Sequence, residues 1–393
     1  MMSEHCSHRV YNIISEANLT LPAITQGSFH AYRLFEVAEE INLSRLDQIH
    51  LPASVTLRPG RLSFFGRLRT LLSVIALGTR EVEFETGMWV QVDCTVLVFS
   101  FGVMAPCFLI PIGESQSTQP IAAAMTPAEA ATFISRLNDS QALTDLGRQL
   151  TETVSGLIAS AITRPIVYEE YESYTLLTIQ QFATPIAIDE VLKSADLGRL
   201  LLGETPDWEP APSFLAQLLK DHYRYAVDDL CVIDWNAAVT IEPTPTEDVP
   251  DLIALALTQL LEYQRYDAIL EQELDVLYEW AFQKQASSRW WRPGMAQRGV
   301  DRVNRVLLDI GDFIDRSQNV FKITEDAHYA RIYRGAIERF QVPAWRSAVV
   351  ARQQAVAEVA RTMFDRAHLS IAHFLETVII LLIAFDIVWA FFK

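Results

Sequence analysis

The chain has 393 residues, half of them hydrophobic, with 15 Gly and 17 Pro. Its formal net charge is -17 and its pI is near 4.9. This composition suits a packed, mostly regular chain of one large domain or two, and it excludes broad nucleic-acid binding, which needs a basic footprint.

Residues 1–26 read as an N-terminal segment. The opening MMSEHCSHRV carries Glu4 and no apolar run, so it is neither a signal peptide nor an Arg-rich organelle presequence. His5, Cys6 and His8 are metal-ligand types, but a frayed terminus is the plainer reading. The four cysteines, Cys6, Cys94, Cys107 and Cys231, form no CxxC pair. Cys94, Cys107 and Cys231 lie in apolar strand-like runs and are expected to be buried thiols of a reducing compartment.

Residues 27–165 read as a first α+β unit. The stretch from Phe29 predicts a strand and a short helix. Arg58, Arg61, Arg67 and Arg69, with Phe64, Phe65 and Leu71, make a basic–apolar stretch. It reads as a surface connection, with contact to an anionic surface, a ribosome or RNA as the alternative. Two strands then turn near Gly102. Thr126, Pro127 and Glu129 predict a capped helix start, and QALTDLGRQLTETVSGL has helical spacing.

Residues 166–285 read as a second unit in the same order: a strand from Ser173, a short helix, two strands and a helix. The pattern is a tandem strand–helix–strand–strand–helix body, of which two ferredoxin-like halves are one realisation. Glu169, Glu170 and Glu172 lie among Tyr168, Tyr171 and Tyr174 and read as a solvated strand start rather than an acid–base pair. Between the units' elements, GETPDWEPAPSF is a loop.

The densest acidic site is Asp228, Asp229 and Asp234, followed by Trp235 and Asn236. Strand alternation places Asp228, Asp234 and Asn236 on one face, and three oxygen ligands there would suit Mg²⁺ or Ca²⁺. The simpler expectation is a hairpin turn that uses Asp and Asn for local hydrogen bonds. Glu262, Glu271, Glu273, Asp275 and Glu279 are expected on the wet side of a long helix, or, with Arg265, as a partner contact. No P-loop, Rossmann fingerprint, HExxH or GxSxG occurs.

Residues 286–370 read as a helical hairpin or short coiled-coil stalk, bent at Trp290–Gly294. Val300, Val303, Leu307, Ile310, Ile314 and Phe321 follow an alternating three–four spacing with one position skipped, and Val349, Val356, Ala360, Met363 and Ala367 fit the same register. Pro343 is expected to begin the last helix. Residues 371–393 are expected to form one transmembrane tail containing Phe374, Glu376, Thr377, Asp386, Trp389 and Phe392. Phe374 to Phe392 would make roughly 28 Å of helix against a hydrocarbon core of ~30 Å. Arg352, Arg361 and Arg366 would keep the body cytoplasmic, and Asp386 would contact another transmembrane helix.

Three blocks carry a family resemblance: VLVFSFGVMAPCFLIP; DLCVIDWNAAVTIEP with the helical run ALTQLLEYQRYDAILEQELDVLYE; and LETVIILLIAFDIVWAFF. In order, they resemble the "required for meiotic nuclear division" family of mitochondrial proteins and bacterial relatives. The matching positions are Phe99, Phe101 and Gly102, then Leu375, Glu376 and Asp386. Asp386 stands where that family more often has glutamate, and the turn after Gly102 lacks its usual tryptophan. The resemblance implies a membrane-anchored protein without catalytic activity or cofactor, linked in mitochondria to translation and the tethering of ribosomes.

The expectation is therefore an α+β body, a coiled-coil stalk and a tail anchor. The protein would be a non-enzymatic scaffold or tether in a bacterial inner membrane, or in the mitochondrial inner membrane if processed. Its partners would be another protein and further copies of itself through stalk and span, with nucleic acid contacted indirectly if at all. The alternative is a metal-dependent enzyme using the Asp228/Asp234/Asn236 face. No catalytic residue, metal ligand or cofactor is assigned.

Overall fold

The computed structural model describes residues 20–59, 71–85, 87–115, 118–167, 169–204, 209–244, 246, 248–282, 302–311, 313–314 and 326–391. His5, Cys6, His8, Arg61, Phe64, Phe65, Arg67, Arg69, Tyr168, Trp290–Gly294, Val300, Phe321 and Phe392 lie outside these residues. By chain contacts the protein divides into two units, residues 1–262 with 319–342, and residues 263–318 with 343–393.

The first unit is mixed α+β. Its strands are β1 (Ile24–Glu36), β2 (Ala38–Ile41), β3 (Thr56–Pro59), β4 (Leu72–Glu85), β5 (Met88–Phe99), β6 (Val103–Ile112), β7 (Ile162–Pro165), β8 (Tyr171–Phe182), β9 (His222–Tyr223), β10 (Leu230–Ile233) and β11 (Ala237–Ile241). Among the described residues one sheet runs β3–β4–β5–β6–β1–β8–β11–β10–β9, and β2 pairs with β7 apart from it. In the large sheet β8 and β11 pair parallel, Thr175 beside Ala237 through Ile179 beside Ile241; the other neighbours are antiparallel.

β1 lies at the centre and lacks the usual in–out alternation because both of its faces are covered. Phe29 packs edge-on against Phe133 of α1 (Pro127–Asp139) at 5.0 Å. Four residues along the same face of the strand, Arg33 is fully buried. Its guanidinium donates to Thr144 Oγ1 on α2 (Gln141–Leu157) and to the carbonyls of Leu137, Asn138 and Ser140 at the junction of the two helices. The cation thus closes the carboxyl end of α1, where unpaired carbonyls favour positive charge. The start of α1 is set locally. Thr126 Oγ1 accepts from Glu129 N, Glu129 returns a bond to Thr126 N, and Pro127 fills the first turn.

β5 and β6 are joined by a hairpin ending at Gly102, whose φ is +95°. A Cβ there would sit 1.8 Å from the carbonyl oxygen of Ala38. Glycine is the residue that permits this approach. The expected repeat of one element order does not form: six strands, β1 to β6, precede α1 in the first half, and the pairing of the two halves also differs. The first strand of one half, β1, meets β6 antiparallel, and that of the other, β8, meets β11 parallel.

After α3 (Ile188–Val191), α4 (Ala195–Leu202) and α5 (Pro212–Leu218) comes the long α6 (Asp248–Phe282). Its early turns, Val249 to Leu261, are buried on all sides. The acidic face expected to be wet divides. Glu271 and Asp275 are exposed, but Glu262 and Glu273 are buried, and Glu273 pairs with Arg302. α7 (Ala327–Arg339) completes the first unit.

The second unit is helical. Val303, Ile310 and Phe313 are buried on residues 302–314, and Val349 and Val356 are buried one heptad apart on α8 (Val342–Phe391). Tyr263 and Tyr266 pack on Phe313 at 4.9 and 5.2 Å. Arg352 pairs with Asp267 at 2.9 Å and Glu271 at 3.1 Å. The side chain of Met363 lies outside the described residues.

α8 starts at Val342 with Pro343 in its first turn and continues to Phe391. The expected transmembrane tail is corrected here: among the described residues no helix is long and apolar enough to cross a membrane. The uncharged run, Thr377 to Phe385, is bounded by Glu376 and Asp386. At ~1.5 Å per residue it spans about 14 Å, half of a ~30 Å hydrocarbon core. The single-pass anchor built on Phe374, Glu376, Thr377, Asp386, Trp389 and Phe392 is withdrawn, and with it the membrane localisation. The Asp386 side chain, expected to contact a second span, lies outside the described residues.

Candidate functional site

The acidic residues singled out in the sequence gather around the β10–β11 hairpin but do different work. Asp234 opens its turn, closed by a 2.9 Å bond from Asp234 N to Ala237 O. Its carboxylate is 5% exposed and lies 3.4 Å from Arg339 Nη1 at the end of α7. Burial pushes its pKa above the usual carboxylate range; Arg339 and the backbone N–H of Trp235 oppose that rise. Tyr174 Oη donates to the carbonyl of Asp234 at 2.8 Å and stands edge-on to Phe340. Asn236 is exposed. Its carbonyl accepts from Asn138 Nδ2 at 2.8 Å, and Asn138 Oδ1 accepts from Thr175.

Asp229 accepts from the backbone N–H groups of Tyr225 and Ala226 at 2.8 and 3.0 Å. It shapes the loop before β10, as Asp commonly does in a turn. Asp228 is exposed and is among the residues that line a cavity. Among the described residues, no group of three or more His, Cys, Asp or Glu is placed to hold a metal ion.

That cavity has a volume of about 590 Å³, within the range of small-molecule sites. It lies where the parallel strands β8 and β11 end. Gln180, Phe182 and Ile241 form one wall; Ile186, Ile188 and Asp189 come from the start of α3; Arg224, Val227 and Asp228 come from the loop before β10. Arg224 donates to Asp189 Oδ1 and to the carbonyl of Val227, each at 2.8 Å. Glu242 follows the lining residue Ile241. Burial raises its pKa, bonds from Thr246 oppose the rise, and Asp229 and Asp248 add to it. Tyr329 Oη donates to Asp248 at 3.2 Å and has a pKa pushed up to about 12, chiefly by burial.

Sequence reasoning singled out Asp228 but missed Gln180, Asp189 and Arg224. The local pattern shows them as a strand end, a helix start and part of a strand. Their meeting follows from the parallel pairing of β8 with β11.

The other marked acids stay apart from this cavity. Glu169 and Glu170 are exposed ahead of β8, and Arg148 binds the carbonyl of Glu169. The cysteines Cys94, Cys107 and Cys231 are buried. Burial raises Cys94 to about 12 and takes Cys231 higher still, so neither thiol is activated.

A second feature lies on the helical unit. Ile379, Ile380, Leu381, Leu382, Ile383, Phe385 and Trp389 of α8 are each more than half exposed. Phe385 and Trp389 stack one turn apart at 6.1 Å.

Residues 26–247, which hold the sheet and the cavity, match the family described as "Uncharacterized protein MJ0711, N-terminal domain". A relative, the uncharacterized protein MJ0711 of Methanocaldococcus jannaschii, is 26% identical over 229 residues. The match covers 56% of this chain and 66% of the relative, so the chain spans just under two thirds of that protein's length. Nothing in these matches links the chain to the meiotic nuclear division family.

Proposed function

The chain belongs to the family of the MJ0711 N-terminal domain, whose description assigns no activity, and from that premise we propose that it is a non-enzymatic scaffold. Several copies join through the ends of their α8 helices and present acidic α+β bodies to a protein partner. One observation carries the reading: the run Ile379–Ile383 with Phe385 and Trp389 is apolar and exposed on every side of the helix. A helix that is apolar all round belongs in an interior. Exposed apolar surface of this kind marks an interaction site. A single neighbouring helix covers one stripe, so an all-round apolar end calls for a bundle of more than two. The buried positions Val349 and Val356, a heptad apart, support coiled-coil packing of the same helix nearer its start.

A metal-dependent reaction at Asp228, Asp234 and Asn236 has less support. Asp234 is paired with Arg339, Asp228 is an exposed lining residue of the cavity, and Asn236 takes part through its backbone.

Sedimentation of the full chain tests the scaffold. The wild type should form a discrete assembly larger than a dimer. Ile380→Glu with Ile383→Glu, both at exposed positions, should reduce it to monomers with an unchanged melt. A wild-type monomer, or a monomer that floats with lipid vesicles, would overturn the reading.

A further inference from the structure

We propose that the cavity at the ends of β8 and β11 is a binding site for a small organic cation, a protonated amine carried on an apolar body. Three observations point there. First, part of the lining is apolar: Phe182, Ile186, Ile188 and Ile241 offer a surface for a hydrocarbon or aryl group. Second, the lining charges do not balance. Arg224 is taken up by Asp189 and the carbonyl of Val227. Asp228 lines the cavity, is exposed, and has no ion pair or hydrogen bond with another described residue. One carboxylate is thus left for a ligand.

Third, the field behind the lining has the same sign. Glu242 adjoins the lining residues Ile241 and Pro243, and it feels the charges of Asp229 and Asp248. A cleft walled by low-dielectric groups and flanked by acids concentrates cations. An anion would meet Arg224 already engaged and Asp228 opposed to it. Gln180 adds a carboxamide whose oxygen can accept from an ammonium group. The strands also contribute position. Their parallel carboxyl ends open a crevice, a place where ligands commonly bind in sheets with parallel strands.

The inference is independent of self-assembly through α8, because all the lining residues belong to the α+β unit. Calorimetry on the full chain provides the test, with phenethylammonium as probe, 2-phenylethanol as its neutral counterpart and 3-phenylpropionate as its anionic one. Phenethylammonium should bind saturably with a Kd at or below about 1 mM. The alcohol should bind at least about tenfold more weakly, a difference of ~1.4 kcal/mol, and the carboxylate more weakly again. Asp228→Asn, a change at an exposed position, should remove the preference for the ammonium over the alcohol and leave the melt unchanged. Equal binding of alcohol and amine, tighter binding of the carboxylate, an unaffected Asp228→Asn variant, or no saturable heat with the amine would each overturn the proposal.

Discussion

Arg339 on the last turn of α7 reaches to 3.4 Å from Asp234 in the β10–β11 turn, and this ion pair holds a helix against a hairpin far from it in sequence. The pair does not recover the full cost of burial: Asp234 still sits above its ordinary pKa. A carboxyl group whose folded pKa is raised binds protons more readily in the folded state. Its ionised form therefore costs stability above the folded pKa. That cost is relieved as pH falls through the folded pKa, and it is gone below the unfolded value. Asp234→Asn removes this linkage. The stability of wild type relative to the variant should rise as pH falls from 7 toward 4, measured by urea unfolding of both proteins at each pH. A difference that stays flat, or falls, would count against the assignment.

Arg33 should be one of the costliest residues to change. It is fully buried, and its guanidinium serves three carbonyls and Thr144 Oγ1 around the α1–α2 junction. Arg33→Met fills much of the volume but leaves buried acceptors without donors, each worth about 1–3 kcal/mol. Denaturant unfolding should show a loss of about 3 kcal/mol or more.

Gly102→Ala should also fail badly. The backbone conformation alone costs an L residue about 1–3 kcal/mol. The added Cβ would overlap the Ala38 carbonyl at 1.8 Å, and the chain must move to avoid it. The carbonyl of Gly102 also accepts from Val37 N and Ala38 N, so the movement disturbs the entry to β2. The expected outcome is a sharply lower midpoint of thermal unfolding, and a melt like wild type would refute it.

Ile310→Asp should separate the behaviour of the two units. Ile310 is completely buried in the helical unit, and an uncompensated carboxylate there should cost about 4 kcal/mol or more. Hydrogen exchange should show lost protection in residues 302–311 and α8, with protection retained in β1, β6 and β8. Uniform loss across the sheet would show that the units unfold together.

Local rules made part of this fold legible. The Thr126–Pro127–Glu129 start of α1 is a contest among neighbours three residues apart, and it forms as its residue types demand. The turn at Gly102, the entry of Pro343 into α8 and the burial of Val303, Ile310, Val349 and Val356 follow from similarly short-range chemistry and spacing. The tail shows where composition overreaches. An apolar stretch was visible, but the acids at its borders leave an uninterrupted run too short to span a bilayer.

What the sequence by itself determined is the main strands and helices, the cap of α1, the turn at Gly102 and part of the buried set, because those depend on periodicity and on neighbours a few residues away; β2, β3, β4 and β7 and the burial of Glu262 and Glu273 were not legible in it. The tertiary structure decided which charges share a site. Asp228 and Asp234 are close in sequence, yet one lines a cavity and the other pairs with Arg339. Gln180, Asp189, Arg224 and Asp228 come from separate segments and meet at one cavity because β11 lies parallel to β8. Strand direction and neighbour order are settled by how the whole sheet closes its hydrogen bonds and covers both faces, and no local run of residues carries that information.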